Sequence, residues 1–404
     1  MRELIEAVRR GDADEVTALL EAGADPDTRE DGLPVLCLAV AAYDRPVAEA
    51  LLGAGADPLR PLPDGSTPLT RAVDGGSHLL TRALATSRIP LTAPVRAEVL
   101  ARIRRWAEAG AEAGLRRLTG RTGPVTRIRV EDDEIGWWSE QLTLGGTTVR
   151  DEHRAMLTSM EARYGIRAPF DELAARALAH PDRDHVVWCD VVFTLGRRAD
   201  EETWQRSLDL LDHPGRPHRL LAADLLLSLI LGDGATGDDP FGDRGRELVP
   251  WAEREQDPEV LAVLLHAMTH DSAPEIEAVG LSCLTHPDPA VRALVPGSVH
   301  HPESLTAVLT LAHDEDPGVR EAVCHWLAHL RGHEPEVGDT LVALTHDERQ
   351  SIRLCAVSGL AVRDDPRCVE AQHRVGPVAE ELRDDERLLD VWRYQRRREA
   401  ADGG

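Results

Sequence analysis

The sequence has no lysine and no asparagine; all 46 of its Lys+Arg residues are arginine. Each absence excludes chemistry. Without lysine there is no P-loop, no kinase-type strand lysine and no Schiff-base chemistry of the pyridoxal-phosphate kind. Without asparagine there is no N-glycosylation acceptor. Both residues have A-rich codons, so their joint loss points to a GC-rich bacterial genome and carries no functional message. Aromatics are also scarce, 14 among 404 residues. Cores must then be built from Leu, Val and Ala, which suits thin stacked helices better than a thick sheet sandwich. Long apolar runs are missing: the longest, Leu220 to Leu231, is about half of a membrane span and contains Asp224. Met1-Arg2-Glu3-Leu4 opens an acidic amphipathic stretch without an apolar h-region, so no signal peptide is expected. The six cysteines are scattered and form no CxxC. A reduced, cytoplasmic setting is expected, with Cys189, Cys355 and Cys368 serving packing rather than thiolate chemistry.

What is present repeats. Gly23-Ala24-Asp25-Pro26 recurs as Gly55-Ala56-Asp57-Pro58, and Asp31-Gly32 recurs as Asp64-Gly65. Between these markers lie paired short helical patterns, one with Ala7, Val8, Val16, Leu19 and Leu20, the next with Leu38, Ala39, Val47, Leu51 and Leu52. Glycine supplies a left-handed cap to each pair, and the proline that follows prevents continuation. This array resembles ankyrin repeats. Asp64-Gly65-Ser66-Thr67-Pro68-Leu69-Thr70-Arg71-Ala72-Val73 is close to the family signature, with Thr70 in place of the usual histidine, so that turn is expected to lose an internal hydrogen bond. Pro94 to Leu118 reads as a degenerate closing segment. The ankyrin-like region is placed at residues 1–118.

The period then changes. Thr126 to Val130 alternates as a half-buried strand does, and Gln141–Leu144 and Thr147–Arg150 flank Gly145-Gly146, a two-residue hairpin signal. Asp151 to Tyr164 reads as a helix. A connector with a small β-hairpin is therefore expected over residues 119–169. It contains Trp137-Trp138, either a docking anchor for a partner or a pin that holds the connector against a neighbouring repeat.

Residues 170–404 repeat a different phrase. It is clearest at Leu284-Thr285-His286-Pro287-Asp288-Pro289-Ala290-Val291-Arg292, at Leu311 to Arg320 and at Leu344 to Arg353. Looser copies start at His180 and His213, and another is displaced to Asp257-Pro258-Glu259-Val260. An Ala/Leu/Val-rich helix follows each. This resembles short HEAT repeats, about six of them, closed by a terminal helix with Trp392, Tyr394 and Arg396-Arg397-Arg398. The resemblance implies an all-α architecture: an ankyrin array, the hairpin connector and a HEAT-type α-solenoid.

Charge is unevenly shared. The chain carries 71 acids and a net charge of −25, and the HEAT-like part, counted from residue 166, holds 25 arginines against 45 acids. Nucleic acid is disfavoured as a partner, because affinity for it comes from cations that neutralise phosphates. Anionic membrane is disfavoured for the same reason. A protein or peptide with a basic surface is the natural complement.

Candidate chemistry is thin. Gly232 to Gly237 matches G-x-G-x-x-G, but a helical run precedes it and Asp238-Asp239-Pro240 follows, which fits a loop and not a nucleotide site. The histidines carry more. Aligned on Val260, Val291 and Val319, the positions ten residues on are His270, His301 and His329, and those six residues on are His266, Gly297 and His325. The HEAT resemblance implies exposed sites on the concave-face helix at those offsets, with each i, i+4 pair on one face and Glu321 one turn before His325. Such a pair is half of a zinc, nickel or copper site. Repeats stack about 10 Å apart, so neighbouring repeats do not readily share an ion. An iron hydroxylase family built on HEAT repeats uses repeated His-Glu dipeptides, and here only His333-Glu334 has that form. The expectation is a partner-contacting stripe of His266, His270, His301, Glu321, His325 and His329, titrating near neutral pH. The alternative is a metal-binding or metal-dependent role at His325, His329 and Glu321. No cofactor and no catalysis are expected, and the protein is expected to act as a monomeric adaptor.

Overall fold

The computed structural model describes residues 2–131, 136–232, 241–330, 332 and 334–402. The chain divides into two compact units, 1–198 and 199–404.

The N-terminal unit begins with three antiparallel helix pairs: α1 (Arg2–Arg10) with α2 (Ala13–Glu21), α3 (Val35–Ala41) with α4 (Arg45–Gly53), and α5 (Pro68–Gly75) with α6 (His78–Ala85). Two-residue strands β1 (Arg29–Glu30) and β2 (Leu33–Pro34) pair ahead of α3. Each pair is too thin to bury its own apolar face, so consecutive pairs share one core through Leu4, Val16, Leu36, Val47, Leu51, Leu69 and Leu84. Side-chain caps start the helices, with Asp12 accepting from Glu15 N–H and Asp44 from Val47 N–H. The turn at Thr67 corrects one expectation. Thr70 loses nothing by replacing histidine: its hydroxyl accepts from Thr67 N–H at 2.8 Å, while Thr67 Oγ1 accepts from Thr70 N–H at 3.1 Å, a reciprocal capping box.

Helices α7 (Ala93–Ala109) and α8 (Ala111–Thr119) follow, then an antiparallel sheet ordered β3 (Thr126–Glu131), β4 (Trp138–Leu144), β5 (Thr147–Arg150). The expected hairpin thus carries a third strand, with Val130 opposite Ser139 and Leu142 opposite Val149. Gly145 and Gly146 both have positive φ, as a tight two-residue turn requires. Leu142, Leu144 and Val149 face the core, while the β3 edge is exposed and charged. Helices α9 (His153–Arg163), α10 (Phe170–Leu178) and α11 (Val186–Gly196) complete the unit. Helix α9 packs on α6 and α7, and α11 on α9, so these helices belong to the compact unit that ends at Arg198.

The C-terminal unit contains α12 (Glu201–Leu211), α13 (Arg216–Leu231), α14 (Val249–Ala252), α15 (Pro258–Met268), α16 (Pro274–Ser282), α17 (Pro289–Arg292), α18 (Leu305–Leu309), α19 (Pro317–His329), α20 (Pro335–Leu344), α21 (Gln350–Val362), α22 (Arg367–Ala371) and α23 (Asp390–Asp402). The recurrent Asp-Pro explains where α15, α17 and α19 start. Asp257, Asp288 and Asp316 are N-caps whose carboxylates accept backbone N–H groups, and proline fits the first helical position, which needs no N–H donor. The apolar run Leu220 to Leu231 lies within α13; no described helix is long and apolar enough to cross a membrane. Helix α23 packs on α21, and Arg397 bonds the Ala361 carbonyl and Asp364.

Candidate functional site

The arginine that closes each of four turns, Arg219, Arg292, Arg320 and Arg353, has a structural use. Arg292 Nη1 donates to the carbonyls of His286 and Pro287 in its own turn, while Nε and Nη2 reach Asp314 of the next at 2.7 Å. Arg320 repeats this with the carbonyls of Asp314 and Glu315 and with Asp347. Arg219 does so with His213, Pro214 and Glu255. Arg353 closes the ladder on the carbonyls of Asp347, Glu348, Arg374 and Val375. A planar fork can bridge two backbone carbonyls and a carboxylate at once, which lysine cannot. Two of the turn histidines are capping groups: Nδ1 of His213 accepts from Gly215 N–H, and Nδ1 of His286 from Asp288 N–H.

The structure breaks up the expected histidine stripe. His325 and His329 do share a face of α19, with ring centroids 4.5 Å apart. Yet His329 Nδ1 is bonded to the His325 carbonyl at 2.8 Å, and Glu321 faces Arg349 at 4.0 Å, so the three do not converge on one point. The His325 imidazole is pushed toward its neutral form, first by burial and then by His329 and Arg387, against Glu321. His266 is exposed on α15, but His270 lies beyond Met268, where the helix has ended. His301 is farther from the expected position. Pro296 cannot donate to the carbonyl of Arg292 and its ring clashes there, so α17 stops at Arg292 and no helix carries His301. Instead His301 Nδ1 meets buried Glu277 at 2.5 Å, which raises the histidine's pKa. Glu277 is held at about 2: burial opposes this, but the Ser304 and His301 side chains and the His300 and His301 amides overcome it.

Both tryptophans make contacts within the N-terminal unit. Trp137 is half-buried against Ala155, Val186 and Val187. Trp138 donates its amide to the Asp184 carbonyl, stands edge-on to His185 with centroids 4.8 Å apart, and lies under the Arg129 guanidinium.

A cluster that no local motif announced lies in the N-terminal unit. Among the described residues, Asp151, His180 and His185 form the one group of three His, Cys, Asp or Glu side chains spaced as metal ligands are, with ligand atoms all within 4.8 Å. Asp151 follows β5, His180 lies in the turn after α10, and His185 is the N-cap of α11. Asp151 Oδ2 is 3.5 Å from His185 Nε2 and 3.8 Å from His180 Nδ1. Its Oδ1 is fixed by Glu140 N–H at 2.8 Å. His185 is 1% exposed, and its Nε2 has no hydrogen-bond partner.

The outer hydrogen bonds of the cluster set its protons. Val187 N–H donates to His185 Nδ1, and Arg154 Nη1 donates to His180 Nε2, both at 3.2 Å. Neither donor can accept, so each neutral imidazole carries its proton on the nitrogen that faces Asp151. The two rings stack in parallel with centroids 4.2 Å apart. Burial pushes His180 down to about 4, helped by His185 and Arg154 and opposed by Asp151. Asp151 stays below the usual carboxylate range: burial would raise it, but the His185 imidazole and the Glu140 amide prevail. Asp151 and His180 also line a cavity of about 520 Å³, with Trp106, Glu112, Arg127 and Arg154 among its walls. Within it Arg127 is tied to Glu112 and Glu140, whereas Arg154 has no carboxylate partner among the described residues.

Residues 293–361 match the family model of HEAT repeats. HEAT repeats are therefore present in the C-terminal unit, over the span where the arginine ladder is most regular. No curated protein is similar to the chain in sequence. Among solved structures, the Escherichia coli protein YibA is similar, with a TM-score of 0.44 and 14% identity over 60% of this chain and 96% of that one. A chain of the Pds5–Scc1 complex is similar at a TM-score of 0.32 and 13% identity, over 96% of this chain and 64% of that one. Two sequence motifs reach beyond the described residues: Gly232 to Gly237 from position 233 on, and the His333 of His333-Glu334.

Proposed function

We propose that the protein is a non-catalytic interaction scaffold that holds a basic protein or peptide segment on its acidic, HEAT-type C-terminal unit. The observation that carries this reading is charge: residues 199–404 hold 20 arginines against 40 acids. The ladder ties up arginines as well as acids, since Arg219, Arg292 and Arg320 are each bound to carboxylates within the unit. An arginine so bound is not available to attract an anionic partner, and the surplus acids remain. In this proposal HEAT-type units extend on both sides of the matched span, and the helix pairs of residues 2–85 are an ankyrin array offering a second surface at the turns near Asp31 and Asp64. One chain with two such surfaces suits an adaptor.

The test is a salt titration of partner affinity. A partner captured by the full chain should bind at least tenfold more weakly at 0.5 M than at 0.1 M NaCl, because exposed charge pairs are screened over about 10 Å at the lower salt. Affinity that does not change with salt would contradict the proposal.

A further inference from the structure

We propose that Asp151, His180 and His185 bind one divalent ion of the zinc, nickel or cobalt class, with an open coordination position toward the adjoining cavity. This is independent of the scaffold reading and lies in the other unit of the chain.

Three observations carry it. The donor set, two imidazoles and one carboxylate, suits a borderline ion and not a hard one such as calcium. The spacing is close to what such an ion needs. Ligand bonds of about 2.1 Å in tetrahedral geometry set donors about 3.4 Å apart, against the 3.5 and 3.8 Å separations from Asp151 Oδ2. Finally, His185 Nε2 is fully buried and held toward Asp151 by the cap at Val187 and the edge of Trp138, yet its polar neighbour Asp151 Oδ2 stands at 3.5 Å, too long for a good hydrogen bond. A buried polar atom so poorly paired is costly. The second oxygen of Asp151 is already fixed by the Glu140 amide, as the outer shell of a metal site should be.

Binding has a cost, and its source is visible. Both imidazoles must move a proton from the inward to the outward nitrogen, and one ring must tilt out of the parallel stack. His185 then gives up the Val187 N–H, and His180 gives up Arg154. Each surrendered hydrogen bond weakens the site by roughly five- to tenfold. Three-ligand zinc sites lie many powers of ten above that penalty.

Arg154 gives the proposal a signature that a purely structural role would not produce. Its guanidinium forces the wrong tautomer on His180 and repels a dication, so Arg154→Ala should tighten metal binding by about tenfold. The experiment is cobalt and zinc titration of the untagged full chain, previously dialysed against chelator, read by visible absorption and by bound metal per chain. One ion per chain is expected at submicromolar affinity. His180→Ala and Asp151→Asn should each weaken it at least a hundredfold, while His325→Ala/His329→Ala leaves it unchanged. Circular dichroism melts of the metal-free variants verify that His180→Ala, a change in a turn, still folds. No saturable uptake, uptake that survives His180→Ala, or a loss of affinity in Arg154→Ala would each overturn the proposal.

Discussion

The two units handle charge differently. The N-terminal unit is nearly balanced, with 26 arginines against 31 acids, and places ionisable groups inside: His78, Glu152, His153, Glu161, Arg176, His185 and Asp190 are all buried. There, Glu152 accepts from Ser139 and from the His78 amide, both at 2.7 Å, and Arg176 bridges Thr158 and Glu161. The C-terminal unit has twice as many acids as arginines; it buries fewer ionisable groups, Asp224, Asp271, Glu277 and Arg292, and its Arg292–Asp314 and Arg320–Asp347 pairs run from one turn to the next. The difference teaches that net charge and buried charge are separate design variables. The first concerns partners, the second concerns what the fold tolerates.

The largest expected effect comes from breaking a buried pair. Arg176→Leu leaves Glu161 with Arg104 alone and should destabilise the N-terminal unit by about 3–5 kcal/mol. In the other unit, Arg292→Ala removes one ladder rung whose Asp314 keeps its contact with Asp316 N–H; a loss of about 2 kcal/mol is expected. Chemical denaturation followed by hydrogen exchange would locate each loss. Both pairs are buried, so equal losses would mean that the Asp316 N–H does nothing to support Asp314 once its arginine is gone.

Acid should separate the units next. Burial holds His78 at about 3, His153 at about 4 and His180 at about 4, each below the ordinary 6.5. The unfolded chain therefore binds more protons below about pH 6.5, and this stability, present above that pH, is lost as pH falls toward 4. Asp190 opposes them: burial raises it to about 7, so its contribution is full below about 4 and is lost as pH rises through 7. Burial also raises Glu152, which opposes them likewise, so three histidines against two carboxyl groups leave a loss on the order of 1–2 kcal/mol per pH unit between 6 and 4.5. In the C-terminal unit the shifted carboxylates are depressed, Glu277 to about 2 and Asp314 and Asp347 downward. Their contribution is present above about pH 4 and fades only below it. Residue-resolved hydrogen exchange at pH 5 should show residues 2–198 opening before 199–404; the reverse order contradicts the assignment.

Smaller effects sharpen the comparison. Thr70→Ala should remove one arm of its capping box and cost about 1 kcal/mol, visible as a lower denaturation midpoint. His325→Ala/His329→Ala should shift stability by no more than about 0.5 kcal/mol, since both side chains are exposed.

Local signals were legible wherever one residue type forces one backbone event. Asp-Pro opened α15, α17 and α19, Gly145-Gly146 turned the hairpin, and the Gly-Ala-Asp-Pro spacing marked the first two helix pairs. The histidine alignment failed for a local reason too: it carried a helix past Met268 and through Pro296, where none continues. The Asp151–His180–His185 cluster failed to show for a different reason. Each residue reads as a bland turn or cap on its own, and they meet because β5, the turn after α10 and the start of α11 close around one point. Likewise, alternation revealed β3, but its pairing with β4 depends on a tertiary contact that periodicity does not encode.

The most direct test of the acidic-scaffold account is a hydrogen-exchange footprint of the full chain with an arginine-rich peptide, taken at 0.1 M and at 0.5 M NaCl. The account predicts protection within residues 199–404 that largely disappears at the higher salt. Protection confined to residues 2–198, or protection in 199–404 that persists unchanged in high salt, would contradict it.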